Sequence, residues 1–296
     1  MPLFISCMTG GSEQGLEVNR ELVKAAQATG LPVGLGSFRV LFQHPELAGQ
    51  FRLKSLAPDV PVLANLGVVQ VRDHPQAEIF EWLRRLEVQA LVVHLNPGQE
   101  LFQPEGDRDF RGLKQALARL CEHSPLPVIV KETGFGILPS LVRELLDAGA
   151  ACVDLAGAGG TNWIRVEAYR LSGNERAAAE EFDDWGLPTA VLLGALGGTE
   201  RLLASGGLRS GLDAAKAVAL GAQLAGMALP FIREACAGGA EAVIGLVRRL
   251  EQSFRSAMLL TGSRTLADLR RGVLWPEPGF TSAVEALRAA DRGDRP

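Results

Sequence analysis

Residues Pro127 to Gly160 read PVIVKETGFGILPSLVRELLDAGAACVDLAGAGG. The run Pro127-Val130 is short, apolar and β-branched, and it stops at the charged pair Lys131-Glu132. After a glycine turn, Leu138-Ala148 places its apolar residues three and four apart, the spacing of one helix face. Ala151-Leu155 is then a second apolar run, ending in Asp154 and a glycine cluster. A strand, a helix and a strand that all bury apolar faces make one βαβ unit, whose two strands must run parallel.

The same unit recurs along the chain. Strand-like runs fall at Leu3-Cys7, Pro32-Leu35, Val60-Leu63, Ala90-Leu95, Pro127-Val130, Ala151-Leu155, Arg201-Ala204 and Leu224-Ala228. Helical spacing falls between most of them, at Leu16-Ala28, Ala77-Leu86, Phe110-Leu120, Leu138-Ala148, Leu212-Leu220 and Ala240-Leu260. Eight such units in about 250 residues predict a (β/α)8 TIM barrel. An open doubly wound sheet would place GxGxxG after its first strand, and Gly10-Gly11 does not supply it. The expected organisation is a single barrel domain over 1–275, an insertion after strand 6, and a C-terminal tail over 276–296. Arg288-Pro296, rich in charge, is expected to fray.

Composition narrows the function. A net charge of −4 across 296 residues gives no basic field for nucleic acid or an acidic membrane, so an anion site must be built locally. No apolar run approaches the length of a membrane helix. Cys7, Cys121, Cys152 and Cys236 stand singly and the four histidines lie far apart, which fits a reducing cytoplasm and gives no zinc spacing. A soluble cytoplasmic protein is expected.

In a barrel, function sits where strands end. The runs end in Thr9, Ser37, Asn65, His94 with Asn96, Lys131-Glu132, Asp154 with Gly157-Gly160, Ser205-Gly206-Gly207, and Gly226. LLASGGLRSG, Leu202 to Gly211, joins bare glycine amides, Arg209 and a helix start from about Leu212, the ingredients of a phosphate site. Ala156-Gly160 strips side chains so that a flat ligand or phosphate could approach the backbone, or so that the insertion could hinge. In HLNPGQE, strand alternation turns His94 and Asn96 the same way, and Glu100 could bind a hard cation carried by a phosphorylated substrate. His94 reads equally as a hydrogen-bonded core histidine. Lys131 is open between an ion pair with Glu132 or Asp154, support of an anionic ligand, and a Schiff base.

Taken together, SCMTGG, GSFR, ANLG, HLNPGQE with QPEGD, VKE, AGAGGTNW, DWGLPTA, ASGGLRSGLDAAKA and GMALPF resemble, in content and order, the type 2 isopentenyl-diphosphate isomerases. The resemblance runs from Leu3 to about Gly262. It implies a barrel that binds FMN, needs NADPH and Mg2+, and interconverts isopentenyl and dimethylallyl diphosphate, as a homo-oligomer without nucleic-acid or membrane partners. By its motifs, Cys7, Met8 and Thr9 line the flavin ring, and Ser37, Asn65 and Lys131 make its polar contacts. Thr161, Gly206, Gly207, Arg209 and Ala228 surround its phosphate and ribityl chain. Gln99, His94 and Asn96 fall at the catalytic positions, Arg39 and Gln99 at the substrate, and Glu100 at the metal.

Two features depart from that pattern. Phe38 replaces a common glutamine in GSFR, which puts one polar contact near the substrate in question. The family also carries, before its first strand, an Arg-Lys and a histidine that grip the diphosphate; this sequence opens with that strand. The expectation is an upstream start or a chain that binds FMN and isomerises poorly. The alternatives carried forward are an FMN-dependent oxidoreductase of the hydroxy-acid or dihydroorotate type, and a flavin-binding barrel with impaired catalysis.

Overall fold

A computed structural model describes residues 1–272 and 274–293. Its strands are β1 (Leu3–Ile5), β2 (Val33–Ser37), β3 (Val62–Gly67), β4 (Ala90–Leu95), β5 (Val128–Glu132), β6 (Cys152–Asp154), β7 (Leu202–Ala204) and β8 (Leu224–Met227). They pair in parallel in chain order, and β8 closes on β1 with Phe4 opposite Gly226. The TIM barrel read from the sequence is the observed fold. Proline precedes four of the strand starts: β1, β2, β3 and β5 begin directly after Pro2, Pro32, Pro61 and Pro127, none of which can donate to the ladder.

The helices over the outer wall begin with α1 (Glu13–Thr29), α2 (Val68–Asp73), α3 (Gln76–Leu86), α4 (Pro97–Phe102), α5 (Leu113–His123) and α6 (Pro139–Asp147). No α-helix joins β2 to β3; three 3-10 turns, Phe38–Phe42, Pro45–Gln50 and Lys54–Leu56, do so instead. The expected insertion after β6 is α7 (Trp163–Ala168) with α8 (Gly173–Glu180), which close a small core of their own with Phe135, Ile164, Ala168 and Ala179. α9 (Thr189–Ala195) then completes the unit, followed by α10 (Gly211–Ala219), α11 (Leu229–Leu260) and α12 (Leu266–Arg271). α11 bends at Gly238-Gly239, where both residues leave helical geometry, and Glu21 of α1 accepts the Ala240 amide at 2.8 Å to restart it.

The expected C-terminal tail is instead largely a docked helix. α13 (Pro278–Arg292) buries Val284 and Leu287 against the barrel, and the Arg288 guanidinium donates to the Gly194 carbonyl at 2.6 Å. Asp291 accepts the Ser140 amide at 2.8 Å, capping α6, and pairs with Arg143 at 3.0 Å. Fraying of Arg288 to Gly293 is therefore not observed, because the charges find partners on the barrel; residues 294–296 lie outside the described residues. The Pro276-Pro278 break marks a new helix start, not the end of order.

Strand alternation divides the core in two. Leu63, Ala90 and Val92 cluster with Ile129 and Cys7 inside the barrel, apart from the large cluster between sheet and helices. Two residues further along those strands, on the same face, come Asn65, His94 and Lys131. The apolar filling of the barrel thus gives way to a polar layer at the C-terminal end.

Removing the tie between α13 and α6 should destabilise the fold without touching that layer. Asp291→Ala is expected to cost about 1–2 kcal/mol, the usual value of a lost helix cap. Asp291→Asn, which keeps an acceptor oxygen, should cost less. Thermal unfolding of the two variants measures the difference.

Candidate active site

A cleft of about 850 Å³ opens over the C-terminal ends of the strands. Every site residue that the resemblance implies lines it, Cys7, Met8, Thr9, Ser37, Arg39, Asn65, His94, Asn96, Gln99, Glu100, Lys131, Thr161, Gly206, Gly207, Arg209 and Ala228, whereas the strand-end carboxylates Glu132 and Asp154 do not. Phe38 does not. Its ring is fully buried in the outer core and tilts against Phe42, so the glutamine-to-phenylalanine departure falls away from the cleft wall.

The floor is a row of charged and polar groups set by register. His94 of β4 lies opposite Lys131 of β5, and Lys131 lies opposite Asp154 of β6. His94 Nδ1 is 2.8 Å from Asn65 Oδ1, a carbonyl-type oxygen that can only accept, so Nδ1 carries the proton. Burial, with the nearby charges of Lys131 and Arg39, pushes the His94 pKa down to about 3. The imidazole is neutral. Burial pushes the Cys7 thiol up to about 11, although an Asn65 side-chain hydrogen bond and Lys131 favour the thiolate. Cys7 is therefore a thiol at neutral pH.

Neither carboxylate offered by the sequence bonds to Lys131. Its ammonium donates to the Glu132 carbonyl at 2.6 Å, and it has no acidic oxygen within 4.0 Å among the described residues. Glu132 instead accepts backbone amides of the loop that follows it. Asp154 is spent on Ser205, accepting its amide at 3.0 Å and its hydroxyl at 2.9 Å. Burial raises the pKa of both carboxyls, and the Lys131 charge opposes that rise. A lysine held near two carboxylates but bonded to neither keeps its charge available to the cleft.

The glycine clusters interlock with each other more than they make room for a ligand. A Cβ on Gly206 would sit 2.0 Å from the Gly157 carbonyl oxygen, and one on Gly207 would sit 2.7 Å from the Gly159 backbone. Both residues have positive φ, 93° and 84°. Part of the expected anion site, the two backbone amides that open α10, is taken up from within. Ser210 and Asp213 form a reciprocal cap, and the Asp213 carboxylate takes the amides of Arg209 and Ser210 at 3.1 and 3.0 Å. The α11 start differs: no side chain caps it, and Ala228, Leu229 and Pro230 all face the cleft. The positive end of α11 is thus the open one.

Across the cleft, α4 carries Gln99 and Glu100. Glu100 is buried and accepts from Asn96 Nδ2 at 2.7 Å and from the Asp107 amide at 2.9 Å. Gln99 Nε2 donates to Glu167 Oε1 of α7 at 2.9 Å. Arg170 pairs with the other Glu167 oxygen at 3.0 Å and with Glu105 at 2.8 Å. Sequence reading passed over Glu167, which lay in the insertion; a carboxylate spaced among the apolar positions of Trp163-Ala168 was the available signal. It also passed over Ser6, whose hydroxyl is buried at the cleft without a partner.

Residues 82–276 match the family described as FMN-dependent dehydrogenase. An isopentenyl-diphosphate delta-isomerase of Borrelia garinii subsp. bavariensis is 46% identical over 275 residues, covering 92% of this chain and 77% of the relative. The chain belongs to the isopentenyl-diphosphate delta-isomerase family. A member from Pyrococcus abyssi is 38% identical over 91% of this chain and 76% of its own length. Among solved structures, a mandelate oxidase with an FMN adduct superposes with a TM-score of 0.60 at 21% identity, over 92% of this chain and 79% of that one. At that identity the likeness is one of fold.

The His94 environment sets a pH signature. Because the fold lowers this pKa from 6.5 to about 3, the unfolded chain binds more protons in that interval. The associated stability is complete above pH 6.5 and is lost as pH falls toward 3. Nitrogen NMR of labelled protein should show a neutral ring, protonated on Nδ1, from pH 8 down to 5, and His94→Gln should flatten this part of the stability profile.

Proposed function

We propose that this chain interconverts isopentenyl and dimethylallyl diphosphate, with FMN in the cleft and Mg2+ at the substrate. The observation that carries the reading is the Lys131 ammonium, bonded to no carboxylate, on the floor of a cleft walled on one side by interlocked glycines and an uncapped helix start. Those features fit an anionic ring with a phosphate tail.

Moving the double bond requires a proton delivered to one carbon and another withdrawn from a second. The cleft's own groups are poorly suited to both tasks. Cys7 is held as a thiol, His94 as a neutral ring bonded to Asn65, and Glu100 is engaged by two donors. Reduced FMN supplies the acid and the base when bound, and NADPH supplies its electrons. Lys131 stabilises the negative charge of that reduced ring. Cys7, Met8 and Thr9 bear on the ring, and Ser37 and Asn65 hold its polar edge. Thr161, Gly206, Gly207, Arg209 and Ala228 hold the ribityl phosphate, the α11 start adding a favourable dipole.

Arg39, His94, Asn96 and Gln99 face the substrate. Gln99, fixed by Glu167, orients the reacting end, and the neutral His94, its one N–H bonded to Asn65, does not repel a carbocation-like centre. No group of three or more His, Cys, Asp or Glu side chains suited to a metal exists among the described residues. Glu100 therefore fits Mg2+ as a lone carboxylate, with diphosphate oxygens and water completing the shell, as is usual for this ion. The setting is cytoplasmic and the enzyme a homo-oligomer; no helix among the described residues is long and apolar enough to cross a membrane.

An oxidase of the hydroxy-acid type would need a base able to take a proton near neutral pH. A histidine with a pKa of about 3 does not meet that need.

Incubation with FMN, NADPH, Mg2+ and isopentenyl diphosphate should yield dimethylallyl diphosphate with no net consumption of NADPH. Gln99→Ala should lower kcat by about 100-fold, the scale of a lost orienting contact, while retaining flavin. A yellow protein that forms no product, or one that oxidises substrate stoichiometrically, overturns the reading.

A further inference from the structure

Glu132 is a buried carboxylate that the proposed chemistry leaves unused. It ends β5 beside Lys131, yet its Oε2 turns into the following loop and collects the amides of Gly134 at 2.6 Å, Phe135 and Gly136 at 3.1 Å. Three amides converging on one oxygen form an anion nest, filled here by the protein's own side chain. Gly134 and Gly136 have φ of 148° and 84°, backbone positions that suit glycine.

The nest fixes Phe135, and Phe135 is a junction. Its carbonyl accepts the Leu187 amide at 2.8 Å, and the Leu187 carbonyl accepts the Ala158 amide at 2.8 Å, so the loops after β5 and β6 are tied through one residue. Its ring lies against Gly98 of α4, where an added Cβ would come within 3.0 Å, and it packs with Ile164 of α7 in the second core. α4 carries Gln99 and α7 carries Glu167. The same aromatic ring therefore spaces the two helices whose side chains meet in the 2.9 Å bond from Gln99 to Glu167.

We propose that Glu132 is a positioning residue for catalysis: by gathering three amides it seats Phe135 between α4 and α7 and so holds Gln99 in register with Glu167. The proposal rests on the isomerase reading for its kinetic part only. Misplacement of a positioned group by about an ångström typically costs on the order of 100-fold in rate, and Glu132→Ala should lower kcat by that order. KM for isopentenyl diphosphate should change by less than about threefold, since substrate binding is not its task. Glu132→Gln, which keeps an acceptor oxygen, should recover most of the rate.

The decisive measurement is a double-mutant cycle in FMN-loaded protein. Placed on Gln99→Ala, Glu132→Ala should slow turnover by less than about twofold further, because it acts through Gln99. A full, multiplicative loss overturns the proposal, as does a Glu132→Ala enzyme whose kcat per bound flavin is unchanged while its Tm falls. Amide hydrogen exchange without substrate provides a separate reading. Glu132→Ala should accelerate exchange in residues 134–136 and also in 163–168, and acceleration confined to the first segment overturns the link to α7. Absence of any isomerisation by the unmodified enzyme would instead count against the function and leave the exchange result to judge the linkage.

Discussion

One positive charge, that of Lys131, organises the inside of this barrel. The sheet register leaves it between His94 and Asp154, and the apolar filling of Leu63, Ala90, Val92 and Ile129 lies directly beneath. Burial and the ammonium together favour a neutral histidine, while at Asp154 the ammonium opposes a rise in pKa that burial imposes. The counter-charges are kept near but bonded elsewhere. Had Asp154 taken Lys131 into a direct ion pair, the ammonium would have been neutralised before any ligand arrived. Ser205 on Asp154 and the loop amides on Glu132 are what prevent it.

That arrangement explains why the loops are glycine-rich. Asp154 can accept from Ser205 only if the end of β7 lies close against the end of β6, and the contact between Gly157 and Gly206 leaves no space for a Cβ at 2.0 Å. Thr189 stitches the same point from α9, its hydroxyl 2.8 Å from the Ser205 and Gly206 carbonyls. The glycines are thus needed first for loop-to-loop packing, and the open face they present to a phosphate is a consequence of it. Electrostatics at the floor and backbone shape at the wall are one construction.

The barrel was legible because its signals are local. Near-continuous apolar strands, helical spacing between them and prolines at four strand starts all survive in a single sequence. The cleft lining was legible because strand ends converge in any closed barrel, so residues such as Ser37, Asn65 and Lys131 could be gathered without knowing a contact. What escaped was non-local. The choice between a Lys131 ion pair and a free ammonium depends on which donors reach Glu132 and Asp154, and those are loop amides and the Ser205 hydroxyl, which only the fold brings to them. The anion end was read from Gly206, Gly207 and Arg209 together with Ala228 at the end of strand 8; the fold adds that Asp213 takes two amides at the start of α10 while no side chain caps α11. α13 was missed because its order comes from Gly194, Ser140 and Arg143, each far away along the chain.

The distribution of protons follows from the same constraint. Near neutral pH a protein acid–base catalyst needs a pKa near the working pH and a proton path to the substrate. Burial, aided by the Lys131 charge, works against this at His94, burial works against it at Cys7, and hydrogen bonding occupies Glu100 and Asp154. Freeing Glu100, Asp154 or His94 would break a hydrogen bond that shapes the cleft, and leaving a buried polar group unsatisfied costs about 1–3 kcal/mol. A site built this way can hold an anionic ring and orient a substrate over it, but its own side chains are committed to structure. Under the proposed isomerase function the acid and the base would come from what the site binds, and a fold shared with oxidases would serve a reaction with no net oxidation.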